Sequence, residues 1–139
     1  MESDKINRIL EGQKRFFAEG KTLDVRYRLE VLKQLRKLIV KNEKEIMNAL
    51  RQDFHKPEFE SLATETRFVI KEINLAIRRL RKWTGKKHVW TPFVHFLAFS
   101  YITPQPYGQV LVLSPWNYPF QLSFMPLVGA LAAGNCVVL

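Results

Sequence analysis

The sequence predicts an α/β fold in which a helical N-terminal segment precedes the first strand, helix and second strand of a parallel sheet. Up to Gly85, apolar residues recur every three or four positions, which is the period of amphipathic helices. After Gly85 they form short continuous runs, which are typical of strands covered on both faces of a parallel sheet. All charged side chains lie between Glu2 and Lys87, so the two parts also differ in composition.

Length and composition limit the number of domains and the classes of protein to which this chain can belong. The 139 residues carry 22 Lys and Arg against 13 Asp and Glu, a formal net charge of +9, and this length accommodates one domain at most. A hydrophobic fraction of 47% excludes a disordered polyelectrolyte. With one cysteine, Cys136, the chain cannot form an intrachain disulfide, a zinc ribbon or a C-x-x-C redox motif.

Four helices are predicted before Gly85. The first ends at Gly20, and the second begins near Asp24. The third opens at Asn42, which with Glu45 resembles a capping box. The fourth follows the break at Pro57. The apolar positions expected to face the core are Ile6, Ile9, Leu10, Phe16 and Phe17 in the first helix; Val25, Leu29, Leu32, Leu35, Leu38 and Ile39 in the second; Ile46, Met47 and Leu50 in the third; and Leu62, Val69, Ile73, Ala76, Ile77, Leu80 and Trp83 in the fourth.

A basic cluster marks the end of the fourth helix. Six Lys and Arg residues lie between Arg78 and Lys87, a pattern that also occurs in modules binding nucleic acid or anionic membranes. Because Leu80 and Trp83 continue the apolar stripe, we interpret the Lys and Arg side chains as a solvated helix face and expect no nucleic-acid partner. A basic binding module stays the alternative function.

The remaining residues, His88 to Leu139, contain no Asp, Glu, Lys or Arg. Prolines divide this stretch into pieces shorter than the roughly 20 apolar residues of a spanning helix, and the polar N-terminus lacks the core of a secretory signal. We therefore expect burial inside a larger globule. The single cysteine fits a cytoplasmic protein, and a membrane anchor beyond these residues stays open.

A strand-helix-strand order is predicted in this stretch. Residues 99–103 form an extended arm or edge strand, 109–114 a buried strand, 120–133 a helix with a kink or turn at Pro126, and 136–139 a second strand. Ligands of such sheets bind at the carboxyl ends of the strands. Because a lone unit leaves both sheet edges unpaired, we expect the sequence to be the front of a longer protein.

Candidate chemical groups are few. His55, His88 and His95 share no metal-ligand spacing, so no metal site is predicted, and Cys136 in an apolar run is expected to be an inert core residue. The loop from Ser114 to Pro119 is different, because two prolines bracket Asn117 after a buried strand. A rigidly held side-chain amide suits a developing oxyanion, although Asn and Pro are also ordinary turn residues.

Two stretches of the sequence resemble the start of the coenzyme-binding fold in aldehyde dehydrogenases, which is Rossmann-like. They are Pro115-Trp116-Asn117-Tyr118-Pro119 and Ala132-Ala133-Gly134-Asn135. The upstream helices resemble those of the class-3 or fatty-aldehyde branch, so the resemblance covers nearly the whole chain. It implies N-terminal helices over 1–87, a linker or extended arm over 88–106 and the truncated start of the NAD(P)-binding fold over 107–139.

The resemblance also implies residue roles. Asn117 would be the side-chain donor of the oxyanion hole, Ser114, Pro115 and Trp116 would line the nicotinamide end of an NAD or NADP site, and Tyr118 would border the substrate tunnel. In the family reaction a cysteine attacks the aldehyde to give a thiohemiacetal, NAD(P) takes the hydride, and a glutamate base assists hydrolysis to the carboxylic acid.

Some parts of the family pattern are absent from these residues. The nucleophilic cysteine and the glutamate base of the family come later in its pattern, so the resemblance assigns neither role here, and Cys136 is not the nucleophile. We therefore expect the 139-residue chain to be inactive by itself, as the N-terminal part of an enzyme that forms a homodimer in its full-length form.

Overall fold

The computed structural model describes residues 2–139, and within that range it contains six α-helices and two small sheets. The helices are α1 (Glu2–Ala18), α2 (Val25–Lys41), α3 (Glu43–Phe54), α4 (Glu58–Glu60), α5 (Arg67–Trp83) and α6 (Pro119–Ala133). The strands are β1 (Lys87–Val89), β2 (Ser100–Ile102), β3 (Gln109–Leu111) and β4 (Cys136–Val138). Helices followed by a strand-helix-strand unit confirm the α/β prediction.

The starts of α2 and α3 differ in how they are capped. Asp24 caps α2, since its Oδ1 accepts a 2.9 Å hydrogen bond from the Arg26 backbone N–H. The predicted capping box at Asn42 is wrong. Asn42 alone separates the two helices, and its Nδ2 donates to the Leu38 carbonyl at 3.0 Å. The side chain therefore satisfies the end of α2 rather than the beginning of α3.

The predicted fourth helix is interrupted by a wider turn. Residues Ser61–Thr66 form a π-helical segment between α4 and α5, which the apolar spacing did not indicate. Beyond it α5 buries Val69, Ile73 and Leu80, as expected, whereas Trp83 is 43% exposed because it lies at the end of the helix.

The core lies where α2, α5 and α6 pack together. Each of these helices contributes at least one of the most buried side chains, which are Leu32, Val69, Ile73, Leu80 and Val128. Other predicted core positions lie outside it. Ile6 and Ile9 of α1 and Leu38 of α2 are about half exposed, so only part of each amphipathic stripe reaches a neighbour.

The second sheet is the predicted parallel pair. Gln109 of β3 aligns with Cys136 of β4, and α6 connects the strands without ending at Pro126. Gly134 ends α6 in the left-handed region at φ 95°. The buried Asn135 then accepts a 2.9 Å hydrogen bond from the Gly108 backbone N–H through its Oδ1, which fixes the start of β3 beside the start of β4.

The first sheet lies in an arm that was expected to be buried. Strand β1, which was not predicted, pairs antiparallel with β2, so that His88 aligns with Tyr101. Between these strands the large apolar side chains are exposed, because no helix within residues 2–139 covers them. Their expected burial inside a larger globule stays a prediction. More than 70% of the surface is exposed for Trp90, Phe93, Val94, Phe96, Leu97 and Phe99.

Candidate functional site

The loop between β3 and α6 holds all five sequence-predicted site residues. The backbone N–H of Val112 still donates to the Val138 carbonyl at 2.9 Å, after which the chain leaves the sheet. Pro119 begins α6 at a position where its missing N–H costs nothing. The loop therefore lies at the carboxyl end of β3, where parallel sheets bind their ligands.

Ser114 ties the beginning of the loop to α6. Its Oγ lies 2.6 Å from Oγ of Ser123, and Ser123 in turn donates to the Pro119 carbonyl at 2.6 Å. Since the Ser123 proton is used in that second bond, Ser114 is the donor in the first. The hydroxyl of Ser114 thus holds the loop, and its oxygen keeps lone pairs for a further donor.

Pro115, Trp116 and Asn117 form the exposed part of the loop. Trp116 is 82% exposed, and Pro115 and Asn117 are also exposed. No residue between 2 and 139 makes a hydrogen bond to the side-chain amide of Asn117. Its NH₂ group is therefore available to donate to a ligand, as the oxyanion role requires.

Tyr118 is half-buried and precedes α6. Its side chain provides no cap for the helix. The ring instead lies under the ammonium group of Lys56, with 4.0 Å between Nζ and the ring centroid. One face of the ring is thereby occupied by a cation–π contact.

Two residues beneath the loop were missed by the sequence reasoning. Lys56 donates from Nζ to the Asn117 carbonyl at 2.9 Å and to Oε1 of Glu65. Glu65 is fully buried, and its Oε2 accepts a 2.9 Å hydrogen bond from the Gln121 backbone N–H. The sequence did carry a signal: Glu65 lies three residues after Leu62 and four before Val69, within the apolar stripe, where a carboxylate needs a partner.

Cys136 does not have the environment of a nucleophile. It is buried, and burial raises the pKa of its thiol above the ordinary value. Its Sγ donates to the Gln13 carbonyl at 3.7 Å, and Gln13 also donates to the Val137 carbonyl at 2.9 Å. The cysteine therefore helps to join α1 to β4, in agreement with its predicted place in the core.

The described residues contain neither a cluster of metal ligands nor a helix able to span a membrane. In the part of the chain that the structure describes, no three His, Cys, Asp or Glu side chains come together as a metal site. Over residues 2–139, none of the helices combines the length and the hydropathy needed to cross a bilayer.

The basic cluster at the end of α5 lies at the surface. The side chains of Arg78, Arg79, Arg81 and Lys82 are exposed around the buried Leu80.

Comparison with known proteins identifies relatives of this chain. The family model described as "Aldehyde dehydrogenase family" matches residues 1–139. The 4,4'-diaponeurosporen-aldehyde dehydrogenase of Staphylococcus aureus is 45% identical over 91% of this chain and 28% of its own length. Aldehyde dehydrogenase family 3 member B1 of Bos taurus is 43% identical over 99% of this chain and 28% of its own length.

Solved structures agree with these relatives. The substrate-bound state of Staphylococcus aureus AldH has a TM-score of 0.93 and 44% identity, covering 95% of this chain and 29% of that protein. The NADP complex of the glyceraldehyde-3-phosphate dehydrogenase GapN from Methanocaldococcus jannaschii shares the fold, with a TM-score of 0.81 at 20% identity over 96% of this chain and 28% of its own. The chain thus spans somewhat more than a quarter of the length of these relatives, and it belongs to the aldehyde dehydrogenase family.

Proposed function

We propose that this chain supplies the oxyanion-stabilising amide of an enzyme that oxidises aldehydes to carboxylic acids with NAD or NADP. The observation that carries the proposal is the side-chain amide of Asn117. It is exposed, has no hydrogen-bond partner within residues 2–139, and lies on a loop held from two sides at the carboxyl end of β3. Such an amide stabilises negative charge as it develops on the aldehyde oxygen, without reorganising first.

The same loop fits a nicotinamide coenzyme. Pro115 and Trp116 expose apolar rings beside the half-buried Ser114, and a flat aromatic group packs well on such a surface. The coenzyme, when bound, accepts the hydride. Ser114, Pro115 and Trp116 would orient it, and Tyr118 would border the channel through which the aldehyde arrives.

The 139-residue chain has no catalytic activity by itself in this proposal. Its single cysteine is buried in the core, and burial disfavours the thiolate that must attack an aldehyde. Formation of NADH or NADPH from the isolated chain, if it survived Cys136→Ala and were lost in Asn117→Ala, would contradict this part of the proposal.

The test of the oxyanion role is Asn117→Ala in the full-length protein. We expect kcat for aldehyde-dependent formation of NADH or NADPH to fall by about 10²- to 10³-fold, the effect of removing one oxyanion donor. Asn48→Ala, which removes an exposed amide from α3, is the matched control and should leave kcat unchanged. An unaltered kcat in Asn117→Ala would refute the assignment.

We also propose that the full-length protein is a homodimer in which a second copy covers the arm between β1 and β2. Exposed rings such as Trp90 and Phe93 support this, because apolar patches of this kind usually lie in interfaces. Light scattering coupled to gel filtration should give the mass of two chains for the wild type and of one for Phe93→Glu with Phe96→Glu. A monomeric wild type would exclude the dimer.

A further inference from the structure

Lys56 and Glu65 form a buried ion pair directly beneath the loop that carries Asn117. The side chain of Glu65 is fully buried, and that of Lys56 is 10% exposed. Lys56 approaches from the segment after α3, and Glu65 lies in the π-helical segment between α4 and α5. The pair therefore joins two elements that are distant from the loop in sequence.

The contribution of this pair to folding stability does not explain why it is buried. Removing two charges from water is unfavourable, and apolar residues in the same place are often equally stable or more so. Glu65 occupies a position in the apolar stripe of its helix, where a leucine would be the ordinary choice. The charges therefore call for a more specific role.

The hydrogen bonds and the cation–π contact that the two side chains make outside the pair all go to one short segment. The ammonium group of Lys56 donates to the Asn117 carbonyl at 2.9 Å and lies 4.0 Å from the Tyr118 ring centroid. The carboxylate of Glu65 accepts from the backbone N–H of Gln121 at 2.9 Å. These three contacts span only the end of the loop and the first turn of α6.

Each contact constrains the backbone around Asn117. A fixed carbonyl at Asn117 fixes the peptide plane between this residue and Tyr118. Since Tyr118 provides no side-chain cap, Glu65 supplies the acceptor for the N-terminus of α6, where a negative charge is also favoured by the helix dipole. With Ser114 bonded to Ser123 at the other end, the loop is held on both sides of the amide.

We propose that Lys56 and Glu65 are positioning residues that hold the Asn117 amide in place for the developing oxyanion. The inference rests on the function proposed above, because it takes Asn117 as the donor. Its physical basis is that preorganised donors are effective only at the right position, and a displacement of about 1 Å can cost about 100-fold in rate. The π-helical turn that carries Glu65 is a feature often found at functional sites.

The test uses Lys56→Met and Glu65→Gln in the full-length protein, each alone and combined with Asn117→Ala. We expect either substitution alone to lower kcat by about 10- to 100-fold with little change in KM. In the Asn117→Ala background neither should lower kcat further, because the group being positioned is already absent. Lys56→Arg, which keeps a donor and a charge, should restore part of the rate.

Glu43→Gln is the matched control. Glu43 pairs with Arg67 at 3.2 Å and so links α3 to α5 without touching the loop. This substitution should leave kcat unchanged in both backgrounds. An equal loss of kcat from Lys56→Met with and without the Asn117 amide would overturn the proposal, and so would no loss in either background. If Glu65→Gln does not fold, Lys56→Met carries the test, since it keeps the bond between Glu65 and Gln121.

Hydrogen exchange separates this proposal from the one on which it rests. The backbone amide of Gln121, which donates to Glu65, should exchange faster in Glu65→Gln than in the wild type and remain unchanged in Glu43→Gln. If Asn117→Ala keeps full activity but exchange in Glu65→Gln rises, the oxyanion role fails while the positioning of the loop stands. Unchanged exchange in Glu65→Gln would overturn the positioning role.

Discussion

The two sheets have the same size, but a helix packs on one of them and the other is left exposed. Strands β3 and β4 form a three-residue parallel ladder whose connecting helix, α6, packs onto α2 and α5. Strands β1 and β2 form a three-residue antiparallel ladder in which Val89, Tyr101 and Ile102 are all about half exposed. A parallel pair needs a long crossover, and here that crossover is a helix that covers the sheet. An antiparallel pair needs no such helix, and within residues 2–139 the arm is left exposed despite its apolar composition.

The largest expected effect concerns the turn that connects α6 to β4. Gly134 adopts φ 95°, and a Cβ there would lie 2.6 Å from Cζ of Arg28. The guanidinium of Arg28 is buried and donates to the carbonyls of Thr22, Leu23 and Ala132. Gly134→Ala should therefore lower the free energy of unfolding by about 3 kcal/mol, from backbone strain and displaced charged hydrogen bonds.

Gly129→Ala is the matched control within α6. A Cβ at this position meets no atom within 4 Å, and alanine is the better helix former, so the substitution should raise stability by up to about 1 kcal/mol. Urea unfolding of the full-length protein measures both variants. Equal effects of the two substitutions would show that the turn does not determine how α6 covers the sheet.

A second prediction compares the same substitution in the two regions. Val128 of α6 is fully buried, whereas Val94 in the arm is 86% exposed. Val128→Ala should cost about 2 kcal/mol of stability because it leaves a cavity in the core. Val94→Ala should cost less than about 0.5 kcal/mol in the monomer. Thermal unfolding of the two variants gives the comparison, and a large loss in monomeric Val94→Ala would mean that the arm is covered within one chain.

The smallest expected effect is a pH dependence in the covered sheet. Burial raises the pKa of Cys136 above its ordinary value of 9.0, so the unfolded chain releases the thiol proton at a lower pH than the folded one. Stability contributed by this group is complete below about pH 9 and decreases as the pH rises further. Urea unfolding between pH 8 and pH 10 should show a steeper decrease for the wild type than for Cys136→Ala. Parallel curves would indicate that the thiol is not buried.

Local patterns predicted much of the helical part. The spacing of apolar residues located α2 and the buried face of α5, and Asp24 marked the start of α2, because these features depend on neighbours within one or two turns. The capping box at Asn42 failed for the opposite reason. The same side chain could satisfy either of two adjacent helices, and only their placement decided that it bonds to Leu38.

The candidate site was predicted in part. The pair of prolines around Asn117 and its place after a buried strand indicated where a donor would lie. The partners Lys56 and Glu65 precede Asn117 by about 50 to 60 residues, and no local pattern connects positions so far apart. Glu65 in an apolar stripe showed only that a partner was needed, not which residue it was.

The sequence by itself determined the order of the main helices and of the strand-helix-strand unit, the family and the position of the loop, because periodicity, turn residues and a specific motif are local properties. Tertiary structure decided which apolar surfaces are covered and which groups hold the Asn117 loop. Both depend on contacts between distant segments, where a buried charge is stabilised only when its partner arrives from another part of the chain. The carboxylate of Glu65 is such a group, and the fold supplies Lys56 and the first turn of α6 as its partners.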